Sequence, residues 1–173
     1  MPVDVLVRPD TPDDYPAIRR VNEEAFGGSE EANLIDALRA EQAVLLSTVA
    51  VVRLESDPTI VGHIMFSRMW LDGERQSLPA VALAPLAVRP GWQRQGIGGQ
   101  LIRDALVRLR RDGEQIVVVV GHADYYPRFG FCHPVPGAIE HPFPVEVFMT
   151  MELTPHALAD VRGRVRYPAA LGL

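Results

Sequence analysis

The sequence predicts one mixed α/β domain, of the α+β kind, over residues 1–173. Three observations lead there. Segments of period two and period 3.6 alternate along the chain. Residues 81–120 read strand, helix, strand, a unit whose two strands should run parallel with a right-handed crossover. No repeat, low-complexity tract or linker breaks the pattern.

Each element has a local reason. Residues 3–8 alternate apolar positions and read as a first strand. Thr11 can cap a helix, Pro12 suits its first position, and Asp13 and Asp14 favour the positive end of its dipole. Tyr15, Ile18, Val21 and Ala25 then recur at helical spacing until Gly27 and Gly28. Ser29 is the expected cap of a second helix, with Leu34, Ile35 and Leu38 on its apolar face. Two runs rich in β-branched residues, 45–54 and 60–71, predict a hairpin turning at Ser56-Asp57-Pro58. Residues 81–88 form an apolar strand, and 89–96 a turn. Residues 97–111 form a helix carrying Ile97, Leu101, Ile102, Leu106 and Leu109 on one face. Residues 116–120 are all β-branched, the mark of a strand buried on both faces. A short helix or turn at 124–129, a strand at 145–153 and a C-terminal helix at 155–160 complete the reading.

Composition narrows the function. Apolar residues make up 47% and charged residues 23%, as in ordinary soluble domains. A net charge of −5 argues against bulk binding to nucleic acid or anionic membrane. The single cysteine, Cys132, leaves no intramolecular disulfide or multi-cysteine zinc site, and is expected to be a small buried apolar residue. Met1-Pro2-Val3-Asp4 has no leader character, and no apolar run approaches the ~18 residues of a membrane span. The expectation is a cytoplasmic protein.

The chemistry concentrates between the strand at 81–88 and the helix at 97–111. Gln93-Arg94-Gln95-Gly96-Ile97-Gly98-Gly99 opens that helix, whose first amides lack internal partners. Glycine lets a ligand approach the backbone closely, and an anion there meets several N–H groups at once. A diphosphate fits, with Arg94 adding charge; the plain alternative is a turn with no ligand. A P-loop would need Gly-Lys-Ser/Thr, which is absent. A dinucleotide fold would need glycine at Leu101 and an acid where Gly121-His122 stand. Pro85 interrupts the preceding strand, where it cannot donate to a ladder. It implies a bulge or a splay from the strand at 116–120, unless it sits on an edge. A splay would leave backbone groups for a ligand carrying amides, such as pantetheine.

Gln93-x-x-Gly96-x-Gly98 after a proline-interrupted strand resembles the coenzyme A pyrophosphate loop of the GNAT N-acyltransferases. Tyr126-Pro127-Arg128-Phe129-Gly130-Phe131 resembles that superfamily's Tyr-x-x-x-Gly-Phe segment. Residues 123–131, with Glu146-Val147-Phe148-Met149, resemble a bacterial YhbS-like subgroup, and the likeness covers nearly the whole chain. The resemblance implies a mixed, mostly antiparallel sheet with one splayed parallel pair and helices on both faces. It implies acetyl-CoA as co-substrate, without a metal. Gln93, Arg94 and the amides of Gln95, Gly96, Ile97, Gly98 and Gly99 would hold the pyrophosphate. Backbone groups of Leu86, Ala87 and Val88 would meet the pantetheine. A homodimer is carried over as an expectation.

Acyl transfer to an amine needs a path for the amine proton, a donor for the oxyanion and help for the leaving thiolate. By the family motif Tyr126 is the acid for that thiolate, and Tyr125 a packing residue. The backbone N–H of Leu86 is the oxyanion donor. The base is Glu31 or its neighbour Glu30 at the start of the second helix, His122 at the end of the buried strand, or a water chain. First-turn glutamates also serve simply as dipole partners. His63 reads as a satisfied histidine; His133 and His141 lie in loops. Phe26, Trp70 and Phe148 are candidates for the acceptor pocket, with core packing the plainer account. The acceptor is an amine of a small molecule or peptide. The competing readings are a non-catalytic acyl-CoA sensor of the same fold and a Rossmann-type oxidoreductase.

Overall fold

The computed structural model describes residues 3–173; Met1 and Pro2, half of the leader reading, lie outside it. Strands β1 (Val5–Pro9), β2 (Val44–Leu54), β3 (Asp57–Asp72), β4 (Ser77–Val88), β5 (Ile116–Val120) and β7 (Phe148–Glu152) lie side by side in that order. Two more, β6 (Ile139–Glu140) and β8 (Gly163–Arg166), pair in parallel, and β8 docks on β3 at Trp70–Asp72. Helices α1 (Tyr15–Phe26) and α2 (Glu30–Ala40) precede β2, and α3 (Ile97–Arg111) joins β4 to β5. Adjacent strands run antiparallel from β1 to β4; β4 and β5 are parallel. Among the described residues no helix is long and apolar enough to cross a membrane.

Strand alternation divides the core between the two faces of the sheet. Val81, Leu83, Val117, Val119, Met149 and Met151 pack with Leu101, Ile102 and Ala105 of α3. On the other face, Val49, Val51 and Met65 pack under Ile18 of α1 and Ile35 and Leu38 of α2. On that second face Ala82, Ile116, Val118 and Phe148 are covered by β6 and by the segment after β7. This two-sided cover is why the middle of 116–120 is continuously apolar. Val120 departs from the expectation: it is 39% exposed, because it lies past the last rung shared with β4.

Other local expectations shifted. Pro12–Asp14 forms a separate turn before α1, in which the Asp14 carboxylate accepts the Thr11 backbone N–H at 2.8 Å. Ser29 makes no side-chain cap. The β2–β3 hairpin turns on Glu55 and Ser56, both at positive φ, and Asp57 and Pro58 already belong to β3. The strand expected from residue 145 begins only at Phe148, after a short turn at Val145–Val147. No helix forms at 155–160: His156 and Asp160 adopt positive φ, and the chain turns toward β8.

Candidate functional site

The site begins at Pro85. Its peptide bond with Ala84 is cis. Ala84 and Pro85 together stand opposite the single residue Met65, since Leu83 pairs with Phe66 and Leu86 with Ile64. Two residues against one is a bulge, and it turns β4 away from β5. The parallel ladder runs from Val81–Val117 to Leu83–Val119 and ends there. Beyond it, the Arg89 N–H donates to Val61 across 2.9 Å, so Ala87 and Arg89 turn their backbone groups toward β3. Leu86 and Val88 alternate with them and turn theirs toward the split. Of the three β4 residues expected to meet a ligand, Ala87 is thus the one committed to the sheet.

The loop follows directly. Gly96 caps α3 in the left-handed region at φ 85°, where a side chain would be strained, and Arg94 also has positive φ. Ile97 is buried and anchors the helix start, leaving Gln95 and Gly96 exposed beside it. The first N–H groups of α3 therefore open next to the unpaired edges of β4. Two glutamine side chains are engaged within the loop itself. Gln93 Nε2 donates to the Val88 carbonyl at 2.9 Å, and Gln95 Nε2 to the Gly91 carbonyl at 3.3 Å. Both side chains brace the loop.

Over the loop sits a short turn, Tyr126–Phe129. Tyr125 meets Tyr126 edge-on at 5.1 Å and Phe129 at 5.3 Å, and Tyr126 meets Phe131 at 5.7 Å. The Tyr126 ring covers Gly121 so closely that a Cβ there would meet its Cε2 at 2.4 Å. Burial, with the neighbouring Tyr125 adding to it, pushes the Tyr126 phenol up to about 12. Arg128 stacks on Tyr125 and Arg103 on Phe129, which brings two guanidinium groups to the start of α3.

A bulged strand, a ladder that stops, a helix start with free amides and a tyrosine turn thus meet at one end of the sheet. Residues 6–133 match the acetyltransferase (GNAT) domain family. The chain belongs to the GNAT acetyltransferase family. It is 42% identical over 130 residues to an uncharacterized N-acetyltransferase, YjhQ, of Escherichia coli K12, covering 75% of this chain and 70% of that one. It is 31% identical to the uncharacterized N-acetyltransferase YhbS of the same strain, covering 94% and 96%. A crystal structure of Escherichia coli YhbS in complex with CoA superposes with a TM-score of 0.88 at 29% identity, covering 99% of this chain and 93% of that one. A GNAT family acetyltransferase from Brucella melitensis in complex with acetyl-CoA gives 0.79 at 34%, covering 97% and 98%.

The other candidates in this GNAT domain fall in different places. Glu30 and Glu31 open α2, Glu30 exposed and Glu31 half-buried. His122 is exposed just beyond β5, and its carbonyl accepts the Tyr125 and Tyr126 N–H groups at 3.1 and 3.4 Å. His63 is a buried structural group. Asn22 Nδ2 lies 3.2 Å from its Nδ1 and Ser47 Oγ 2.9 Å from its Nε2. Asn22 also donates to the Ile18 carbonyl, and Ser47 to Asp10, which Arg39 pairs at 2.9 Å. Nδ1 therefore accepts and Nε2 donates. Burial, with Arg39 nearby, holds the imidazole neutral and lowers its pKa to about 3.

Cys132, expected buried, is exposed, in a cavity of about 280 Å³ with His133, Thr150 and His156. It is bridged to Thr150 at the edge of β7, which holds its backbone and leaves the thiol outside. Phe148 is fully buried and stacks on His141 at 3.8 Å. Trp70 pairs with Pro79, at the opposite end of β4 from Leu86. Phe26 is 45% exposed at the end of α1, near β4, since Glu24 pairs with Arg89 at 2.8 Å. Tyr125, expected to pack, does so against Tyr126 and Phe129, and its hydroxyl also lies against Gly98.

Proposed function

We propose that the chain is an acetyl-CoA-dependent N-acetyltransferase that passes the acetyl group to an amine of a small molecule or peptide by direct attack in a ternary complex. The observation that carries the reading is the start of α3 opening beside β4 where its ladder with β5 ends. The diphosphate sits on the amides of residues 95–99, with Arg94 alongside. Pantetheine amides pair with Leu86 and Val88. The CoA and acetyl-CoA named for the YhbS and Brucella melitensis structures support this assignment.

In the reaction the amine nitrogen attacks the thioester carbonyl, and the oxyanion is held by the Leu86 N–H. The C–S bond then breaks; acetylated amine and free thiol are the products. A thiol titrates near 8.5, far below a phenol pushed up to about 12. Tyr126 therefore stays protonated and supplies an O–H donor that stabilises the departing thiolate; it does not surrender its proton outright. The amine proton leaves through Glu31, His122 or water and reaches the thiolate by solvent. With the OH donor present, turnover is favoured over the sensor reading.

The first test is thermal unfolding with acetyl-CoA, with NADH as control. Ligand at 100 times its Kd stabilises by about 2.7 kcal/mol, a shift of several degrees in a chain of this size. A rise with acetyl-CoA alone supports the reading and leads to a screen of amines by thiol release. A rise with NADH alone ends it.

A further inference from the structure

The geometry points to Tyr125 as a direct ligand of the diphosphate, its hydroxyl standing beside the first α3 amides at the edge of the anion site. This rests on the coenzyme A reading above. The evidence is the space at Gly98. A Cβ built there would meet Tyr125 Oη at 2.7 Å, whereas the next ring atom, Cζ, lies at 3.9 Å. The hydroxyl, not the ring, is what occupies the place of the missing side chain. Gly98 is the second residue of α3, so its N–H is one of the free donors at the helix start. Oη therefore stands beside the group on which an anion would rest.

Three further features fit a ligand role. The ring is held from both sides, by Phe129 at 5.3 Å and Tyr126 at 5.1 Å, so the hydroxyl position is set by packing. Among the described residues the hydroxyl has no hydrogen-bond partner, and burial alone pushes its pKa up, with Arg128 and Arg103 pulling the other way. It is thus a protonated, pre-positioned donor. Arg128 on its face and Arg103 on Phe129 supply positive charge around it. An anion placed there meets an O–H, the helix amides and two guanidinium groups, while an uncharged ligand would gain little. Tyr125 and Tyr126 then divide the work: one holds the phosphate end of the cofactor, the other its sulfur end.

The test is calorimetric titration of CoA and of dephospho-CoA, which keeps the diphosphate and lacks the 3′-phosphate. Tyr125→Phe retains the ring contacts and removes only the O–H. A hydrogen bond to a charged group is worth enough to weaken binding about tenfold, and the loss is expected equally for both ligands. Unchanged affinity overturns the proposal, as does a loss seen with CoA and absent with dephospho-CoA, which would put the hydroxyl on the 3′-phosphate. Failure of the wild-type protein to bind CoA would remove the underlying reading itself. A second pair of variants checks the geometry without ligand. Gly98→Ala should lower the unfolding temperature in the Tyr125 background and leave it unchanged or raised when combined with Tyr125→Phe, where Cζ at 3.9 Å is an ordinary contact. An equal effect in both backgrounds would show that Oη is not where the proposal needs it.

Discussion

Gln93 Nε2 donates to the carbonyl of Val88 across 2.9 Å. The last residue of β4 and the loop that follows are thereby tied together, and one of the backbone groups facing the split is already satisfied. On the proposed reading, the groups of Leu86 and the Val88 N–H are those left for pantetheine. Gln93→Ala should weaken CoA binding about three- to tenfold, the worth of one neutral hydrogen bond that positions the loop. Gln93→Glu should weaken it further, since a carboxylate cannot donate to Val88 and repels a diphosphate. Titration of CoA checks both; tighter binding by the Glu variant would refute the bracing role.

Tyr126 can be tested through its own hydroxyl and through its support. Tyr126→Phe should lower kcat about ten- to a hundredfold with little change in acetyl-CoA affinity, because the donor acts only on the leaving thiolate. Gly121→Ala should do the same indirectly, since its Cβ would stand 2.4 Å from Tyr126 Cε2 and displace the ring. Thiol release with an amine found by screening measures both. Equal turnover in the Phe variant would remove Tyr126 from the chemistry.

His63 makes stability depend on pH in a defined window. Its pKa is lowered from 6.5 to about 3 in the fold. Below 6.5 the unfolded chain binds a proton that the folded chain refuses, so the stabilisation is complete above that pH and lost as pH falls. The loss reaches about 2 kcal/mol at pH 5. Denaturant unfolding between pH 8 and 5 should show the slope, and His63→Gln should flatten it. A wild-type profile that is level across this range would contradict the buried neutral imidazole.

Phe148 and Phe26 allow core packing to be told apart from the proposed acceptor surface. Phe148→Ala should destabilise by about 3–5 kcal/mol, as for any fully buried ring, and should not retune acceptor choice. Phe26, half exposed beside β4, should cost little stability as Ala while changing the KM for the amine. Chemical denaturation and acceptor kinetics distinguish the two; a stable Phe148→Ala protein would contradict its place in the core.

The elements legible in the sequence were those with local causes. The α3 helix carries its own periodicity, and 116–120 its own β-branched run. Gly96 was visible because a left-handed cap demands it. The C-terminal third was poorly legible. Arg164 and Arg166 flank Val165 in β8, a pattern with too little apolar content to announce a strand; pairing with Leu71 and its neighbours makes it one. The expected helix at 155–160 lost to a chain path turning back onto that edge. Cys132 was misjudged because its residue type is usually buried, whereas its backbone bridge to Thr150 turns it outward.

By itself, the sequence determined the parallel strand pair, the helix between them, the loop at its start and the two motifs that carry the family likeness. Each depends on residues within a few turns of one another. Only the tertiary structure decided that Ala84 and Pro85 bulge against Met65, that His63 is enclosed by Asn22 and Ser47, and that Tyr125 lies over Gly98 while Tyr126 lies over Gly121. All but the last of those relations join residues distant in the chain, and close packing of whole elements, not local preference, selects among them.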